Sequence, residues 1–202
     1  MCMMLAARGA AYVYTNAKAI FNLNQEFVNI SNGFLGRTFD ESGKVVNYGI
    51  PYMVFYFIAA MIIGVILLHF TTYGRKVYEL GGNKEAARYS GINTKRYTLL
   101  AHTLSSLLAG MGGIIMLARI GAAEPTAGDG YETYAIAACI IGGASLFGGK
   151  GKIVGVILGG ITIGTINNGL NIMNVSSFWQ KIVMGLLIIG SVALEKFVSN
   201  QA

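Results

Sequence analysis

Charge is what this sequence has least of. Asp, Glu, Lys and Arg make up 12% of its 202 residues, against about 25% in an ordinary soluble domain, so water is a poor solvent for the surface the rest would build. Proline occurs only twice, which leaves long stretches free of helix breakers. Cysteine also occurs twice, at Cys2 and Cys139. The pair forms no CxxC or other metal-ligand spacing, and Cys139, inside an apolar run, reads as an inert buried thiol. His69 and His102 each lack a partner ligand at i+3 or i+4, which argues against zinc. No carboxylate lies deep in an apolar run, so a proton relay lacks its usual residues. No Ser-His-Asp or Cys-His arrangement is present. The run GGKGK at 148–152 is not a phosphate loop, because G-x-x-x-x-G-K-[ST] requires Ser or Thr after the lysine and Gly six positions before it. It reads as a tight turn, and the chain is not expected to bind ATP or a cofactor. The N-terminus lacks the basic, apolar and small-residue order of a signal peptide.

Apolar length is what the sequence has in abundance. Hydrophobic residues make up 54% of it, and mean hydropathy is +0.57. Four segments approach the roughly 20 residues, within ~17–25, that a membrane helix needs: Tyr52 to Phe70, Thr98 to Leu117, Ile153 to Met173 and Phe178 to Leu194. A fifth, Tyr134 to Phe147, is short, and a tilted span, a broken helix and a re-entrant segment all fit it. Residues 3–14 look like the end of a further helix. The expected fold is all-α, a polytopic bundle of about five crossings plus the end of a truncated N-terminal helix. Glycine, with 28 residues and no G-X-Y period, suits close-packed membrane helices.

The formal net charge of +6 sits in the loops between these runs, so membrane orientation explains it better than nucleic acid does. If all five segments cross, loops 71–97 and 148–152 and the C-terminal tail share one side. That side carries nine basic residues: Arg75, Lys76, Lys84, Arg88, Lys95, Arg96, Lys150, Lys152 and Lys196. The other carries four, Arg37, Lys44, Arg119 and Lys181, together with the acids Glu26, Asp40, Glu41, Glu124, Asp129 and Glu132. The richer side is expected to be cytoplasmic. Residues 20–49 then form an external loop rich in Asn, Gly and Ser, with turn signals at Asn32-Gly33 and Ser42-Gly43.

Loop 71–97 is too polar for lipid. Asn83 suits an N-cap, Lys84 to Ser90 is good helix-forming sequence, and Gly91 suits a left-handed C-terminal cap. A short helix bracketed by Gly81-Gly82 and Gly91 therefore sits between two spans. It is either a solvated turn or a stiff knob whose small face, Ala86 and Ala87, docks into a groove on a cytoplasmic partner.

Residues 85–91, Glu-Ala-Ala-x-x-x-Gly, resemble the signature loop of membrane permeases of ATP-binding-cassette importers. The runs GRKVYELGGNKEAARYSGI (74–92), EPTAGDGYETYAIAACIIGGASLFGGKGKIVGVILGG (124–160) and NNGLNIMNVSSFWQKIV (167–183) resemble the ribose/xylose/galactose branch, and the likeness covers nearly the whole chain. Residues 92–105 contain no proline, which fits that branch. The resemblance implies a noncatalytic permease subunit for a simple sugar, here its C-terminal portion with the earlier spans absent. It implies a second permease subunit, a homodimer being expected, a separate cytoplasmic ATPase and an extracytoplasmic sugar-binding protein in a bacterial inner membrane. It places ATPase coupling at Gly81, Gly82, Asn83, Glu85, Ala86, Ala87, Arg88 and Gly91. The rival classes are a stand-alone secondary transporter or channel, for which no coupling-ion site or filter is found, and a membrane enzyme or noncatalytic scaffold.

Other polar and small residues remain open between packing and transport. Asn167, Asn168 and Asn171 lie at one end of the third long span, where unpaired amides are costly. They bond neighbouring helices or meet solute hydroxyls. Thr103, Ser105 and Ser106 share that ambiguity, and such hydroxyls often bond to the preceding turn. Gly151, Gly155, Gly159, Gly160 and Gly164 form i, i+4 ridges that admit a close helix. Glu124, Asp129 and Glu132, beside the interfacial tyrosines Tyr131 and Tyr134, are solvated charges or a docking patch for a binding protein.

Overall fold

The computed structural model describes residues 2–21, 23–36, 38–39, 45–47, 49–145 and 148–199. Arg37, Asp40, Glu41, the Ser42-Gly43 turn, Lys44 and Phe147 lie outside this set. The backbone groups into two compact units, Met1–Ala60 with His102–Asp129, and Met61–Ala101 with Gly130–Ala202.

Long apolar runs without proline become long helices. Helix α3 (Tyr52–Val65) continues into a π-helical turn (Ile66–Phe70). Helices α6 (Thr94–Ile120) and α8 (Ile153–Ile172) follow in the chain. Tyr52–Phe70, α6 and α8, of 19, 27 and 20 residues, are long and apolar enough to cross a membrane. The helix α9 (Ser177–Ser199) has 23 residues, or about 35 Å at 1.5 Å per residue. Large apolar side chains on these helices stay open, among them Phe57, Ile63, Leu107, Met111, Leu158 and Leu186, all 50–64% exposed. Such surface is costly in water and suited to lipid, and helices satisfy their own backbone hydrogen bonds there. The fold is all-α and polytopic.

The short apolar segment behaves differently. Helix α7 (Tyr131–Ile141) has 11 residues, about 16 Å, and does not reach residue 147. Gly142-Gly143 stops it: Gly143 has φ +78°, its N–H donates to the Ile140 carbonyl, and the Ala144 N–H donates to the Cys139 carbonyl. These are the paired bonds of a Schellman cap. The helix of this short segment thus ends at Ile141.

In the unit containing α7, α8 and α9, the core is Ala137, Ile163 and Met184, with Tyr134, Ile166 and Leu187 packed against it. α8 approaches α7 through glycine. A β-carbon on Gly155 would strike the Gly142 carbonyl, and one on Gly159 would strike that of Ala138. The turn between α8 and α9 is capped by Asn174 in the left-handed region, φ 55°, with the Val175 N–H donating to the Leu170 carbonyl at 3.0 Å.

The other unit holds helix α1 (Cys2–Thr15) and helix α2 (Gln25–Asn32). The described residues of segment 20–49 include a helix and short paired strands. Asn24 caps α2 by accepting from the Glu26 N–H. Strand β1 (Phe34–Leu35) pairs antiparallel with β4 (Ile50–Pro51), and β2 (Thr38–Phe39) with β3 (Val45–Asn47). Ile20 and Ala123 exchange two backbone hydrogen bonds at 2.9 Å, and Asn32 Nδ2 donates to the Arg119 carbonyl at 3.3 Å. Arg8 reaches Asp129 at 2.6 Å. The segment after α6 is thus held by residues far upstream.

Candidate functional site

Loop 71–97 folds into two helices and the start of a third. Helix α4 (Thr72–Gly82) begins where Thr71 Oγ1 accepts from the Gly74 N–H, and ends at Asn83. Helix α5 (Lys84–Tyr89) has six residues, too few to persist without caps. Asn83 Oδ1 accepts from the Glu85 and Ala86 N–H groups, each at 3.0 Å. At the other end Gly91 has φ +80°, a conformation that a β-carbon disfavours. Its N–H donates to the Arg88 carbonyl at 3.1 Å and that of Ile92 to the Ala87 carbonyl at 3.0 Å, a full Schellman cap. Asn93 Oδ1 then accepts from the Arg96 N–H at 3.2 Å and starts α6.

The caps decide which residues face outward. Ala87 and Ile92 are buried, at 4% and 9% exposure, as the Schellman pairing brings those positions together. Lys84, Glu85, Ala86, Arg88 and Tyr89 are exposed, Tyr89 at 87%. The outward face is therefore built on Ala86 and charged neighbours, while Ala87 is turned into the chain. Beside it lies an open groove of about 760 Å³ lined by Lys84, Glu85, Arg88, Gly91, Ile92, Asn93, Thr94 and Lys95. Three cations against one carboxylate make it electropositive and suited to an acidic partner surface.

The base of α4 is tied down in two directions. The Tyr73 and Tyr97 rings lie 6.1 Å apart, and Lys76 Nζ stands 5.3 Å from the Tyr97 ring centre, joining α4 to α6 through ring stacking and a cation–π contact. Burial pushes the Tyr73 phenol above its ordinary value of 10.0. On another face, Tyr78 Oη donates to the Gly151 carbonyl at 2.8 Å. Loops 71–97 and 148–152, which the crossing count put on one side, therefore touch. Tyr78, Asn93 and Tyr97 carry no motif of their own, and sequence reasoning missed them.

The polar residues of α8 are brought together in part. Asn171 Oδ1 accepts from Gln180 Nε2 at 2.9 Å, and the same amide donates to the Val175 carbonyl at 3.0 Å. Gln180, on α9, is 8% exposed and was not picked out from the sequence. Asn168 is exposed, and Asn167 Oδ1 is buried with no hydrogen-bond partner among the described residues. In the other unit, Ser106 bonds back to the His102 and Thr103 carbonyls, while Ser105 is exposed.

The glycine ridge divides. A β-carbon on Gly159 would meet α7 backbone, one on Gly155 the Gly142 cap that follows α7, and one on Gly151 would stand 3.3 Å from the Ala144 side chain. A β-carbon on Gly160 or Gly164 would meet nothing beyond its own helix within 4 Å among the described residues. Of the acids, Asp129 is paired with Arg8, Glu124 accepts from Thr126 Oγ1 at 2.5 Å, and Glu132 lies in the exposed first turn of α7. Among the described residues, no group of three or more His, Cys, Asp or Glu residues could hold a metal.

Residues 1–192 match the family described as branched-chain amino acid transport system / permease component. The D-allose transport system permease protein of Escherichia coli is 45% identical over 196 residues, 96% of this chain and 56% of the relative. The ribose import permease protein of Bacillus subtilis is 39% identical over 196 residues, 97% of this chain and 58% of the relative. The L-arabinose transport system permease protein of E. coli is 34% identical over 197 residues, 98% and 56% of the two chains. The chain thus spans a little over half the length of these relatives. No solved structure matches significantly. With the long apolar helices and the capped helix between two of them, the match shows that this chain belongs to the family of branched-chain amino acid transport system / permease components.

Proposed function

We propose that the chain is a membrane permease subunit of an ATP-binding-cassette importer that translocates a simple sugar or a similar small polar solute across a bacterial inner membrane. In this reading residues 1–202 act as one permease domain. ATP is hydrolysed on a separate cytoplasmic subunit, a second permease subunit completes the path, most simply an identical copy, and an extracytoplasmic sugar-binding protein delivers the solute. Loops 71–97 and 148–152 and the C-terminus face the cytoplasm, where the positive-inside bias directs them.

One observation carries the proposal: α5, a six-residue helix capped at both ends, with Glu85, Ala86, Arg88 and Tyr89 outward, stands between two long apolar helices in a chain of this family. A short rigid knob beside an electropositive groove is the shape that lets a soluble motor push on a membrane helix. Gly81, Gly82, Asn83 and Gly91 set its position, and buried Ala87 seats it. Names of the allose, ribose and arabinose permeases among the relatives support the sugar class. Asn167, Asn168, Asn171, Ser105 and Ser106 supply hydroxyl-matching groups for the path, and Glu124, Asp129 and Glu132 a surface for the binding protein.

Reconstitution tests this directly. Uptake of D-allose, D-ribose, L-arabinose and D-xylose is measured in vesicles with and without the cognate ATPase and binding protein. ATP-dependent uptake of at least one sugar is expected, and Glu85→Lys should lower it while membrane insertion is retained. Uptake that persists without the ATPase identifies a channel or secondary transporter. No uptake under any condition identifies a scaffold.

A further inference from the structure

Two loops distant in sequence meet beside the coupling helix without side chains between them. Helix α4 ends in Gly81 and Gly82, directly before the Asn83 cap of α5. A β-carbon on Gly81 would stand 2.7 Å from the Gly149 nitrogen. Conversely, one on Gly148 would strike the Gly81 carbonyl, and one on Gly149 would come within 2.7 Å of Gly82 Cα. About one helical turn back, Tyr78 Oη donates to the Gly151 carbonyl at 2.8 Å. The second loop is closed at its base, where the Ser145 N–H donates to the Lys150 carbonyl at 3.0 Å. It leads straight into α8, whose Gly155 backbone touches Gly142 at the end of α7.

We infer that this clasp, Gly81-Gly82 against Gly148-Gly149 with the Tyr78–Gly151 bond, is a second route by which motion of the coupling helix enters the membrane, through the turn 148–151 into the α7–α8 pair. The inference rests on the coupling role proposed above for α5. The chain already links α5 to α6 covalently, and the clasp adds a link to α8. Backbone packed on backbone leaves no flexible side chain to absorb a displacement, and packed contacts transmit strain. Tyr78 and Gly81 are thus positioning residues that touch neither solute nor nucleotide.

Two substitutions separate transmission from plain stability. Gly81→Ala should favour the helix, since alanine is the better helix former, yet its β-carbon falls on Gly149. Tyr78→Phe removes only the hydroxyl. Each variant is purified in complex with its ATPase and binding protein, and sugar uptake is divided by ATP hydrolysed, which cancels differences in yield. Hydrogen exchange at Ser145 and Gly148, whose N–H groups are bonded in the turn, is followed as the ATPase is added. With Tyr78→Phe the ATPase is expected to bind and hydrolyse as in wild type, and both variants are read against the ATP they consume. Uptake per ATP should fall by about fivefold, on the scale of measured coupling effects, and the exchange response of the turn should disappear. Uptake per ATP within twofold of wild type for both overturns the inference. If Gly81→Ala does not assemble, Tyr78→Phe alone decides. Glu85→Lys distinguishes the two proposals: if it uncouples while Tyr78→Phe does not, only the clasp fails. If Glu85→Lys transports normally, the role of α5 fails first.

Discussion

Replacing Asn83 with alanine removes one oxygen that serves two backbone donors, the N–H groups of Glu85 and Ala86 at 3.0 Å each. Loss of such a cap costs about 0.5–2 kcal/mol, typically ~1. In a long helix that would be minor. Helix α5 has six residues, well short of the ~12–15 at which an isolated helix becomes marginal, so its caps carry much of its local order. A loss of ~1 kcal/mol lowers the ratio of formed to frayed helix about fivefold. Gly91→Ala acts on the opposite end. It puts a β-carbon at φ +80°, costing roughly 1–2 kcal/mol. Both act on one local equilibrium, so together they should lower the ratio by on the order of a hundredfold. The assay is hydrogen exchange at Ala87 and Ser90, whose N–H groups donate to the Asn83 and Ala86 carbonyls at 3.0 Å. Exchange should speed up about fivefold in Asn83→Ala, with Asn83→Asp near wild type because aspartate accepts the same bonds. Unchanged exchange in the double variant refutes the claim that the caps hold this helix.

Gly159→Val should destabilise the protein by about 1–3 kcal/mol, as overpacking does, because its β-carbon meets the Ala138 carbonyl. Gly160→Ala, with nothing within 4 Å, should not; thermal unfolding in detergent compares them. Gln180→Leu leaves Asn171 Oδ1 without its donor and should cost about 1–3 kcal/mol, read in the same assay. Asp129→Asn breaks a pair whose side chains are 26% and 56% exposed, so solvent screening limits the cost to about 1 kcal/mol or less; a larger drop in unfolding free energy would contradict this. Tyr73 is held protonated above its ordinary value by burial. The native state then binds the proton more tightly than the unfolded state, so this contribution is intact below about pH 10 and is lost as pH rises through the raised value. Tyr73→Phe should flatten the alkaline fall in melting temperature, and an unchanged alkaline slope would count against the burial effect.

How much was legible depends on how local each signal is. The Asn83 and Gly91 caps were readable because a cap lies within four residues of the groups it satisfies. Helix α7 was harder: its apolar run continues past Ile141, and the Gly142-Gly143 stop looks in sequence like one more small-residue step in a span. Helix α2 was hidden in segment 20–49 because Asn, Ser and Gly suit both turns and helix ends. Gln180 was passed over because a lone glutamine near the start of α9 has no pattern. Its role appears only with Asn171 and the Val175 carbonyl beside it.

A polytopic helical membrane chain, the places of its long helices and the bounds of the short capped helix between them were all readable from the residues alone. Apolar run length, charge placement and caps are properties of adjacent residues, and a bilayer or a helix terminus reads them without help from the rest of the chain. It takes the folded chain to show that Gly81 meets Gly149, that Tyr78 holds Gly151, that Ala87 turns inward and that Arg8 pairs with Asp129. Glycine and an isolated tyrosine fit many surroundings equally well. Which contact each makes is set by how the helices pack, and packing depends on side chains far apart in sequence.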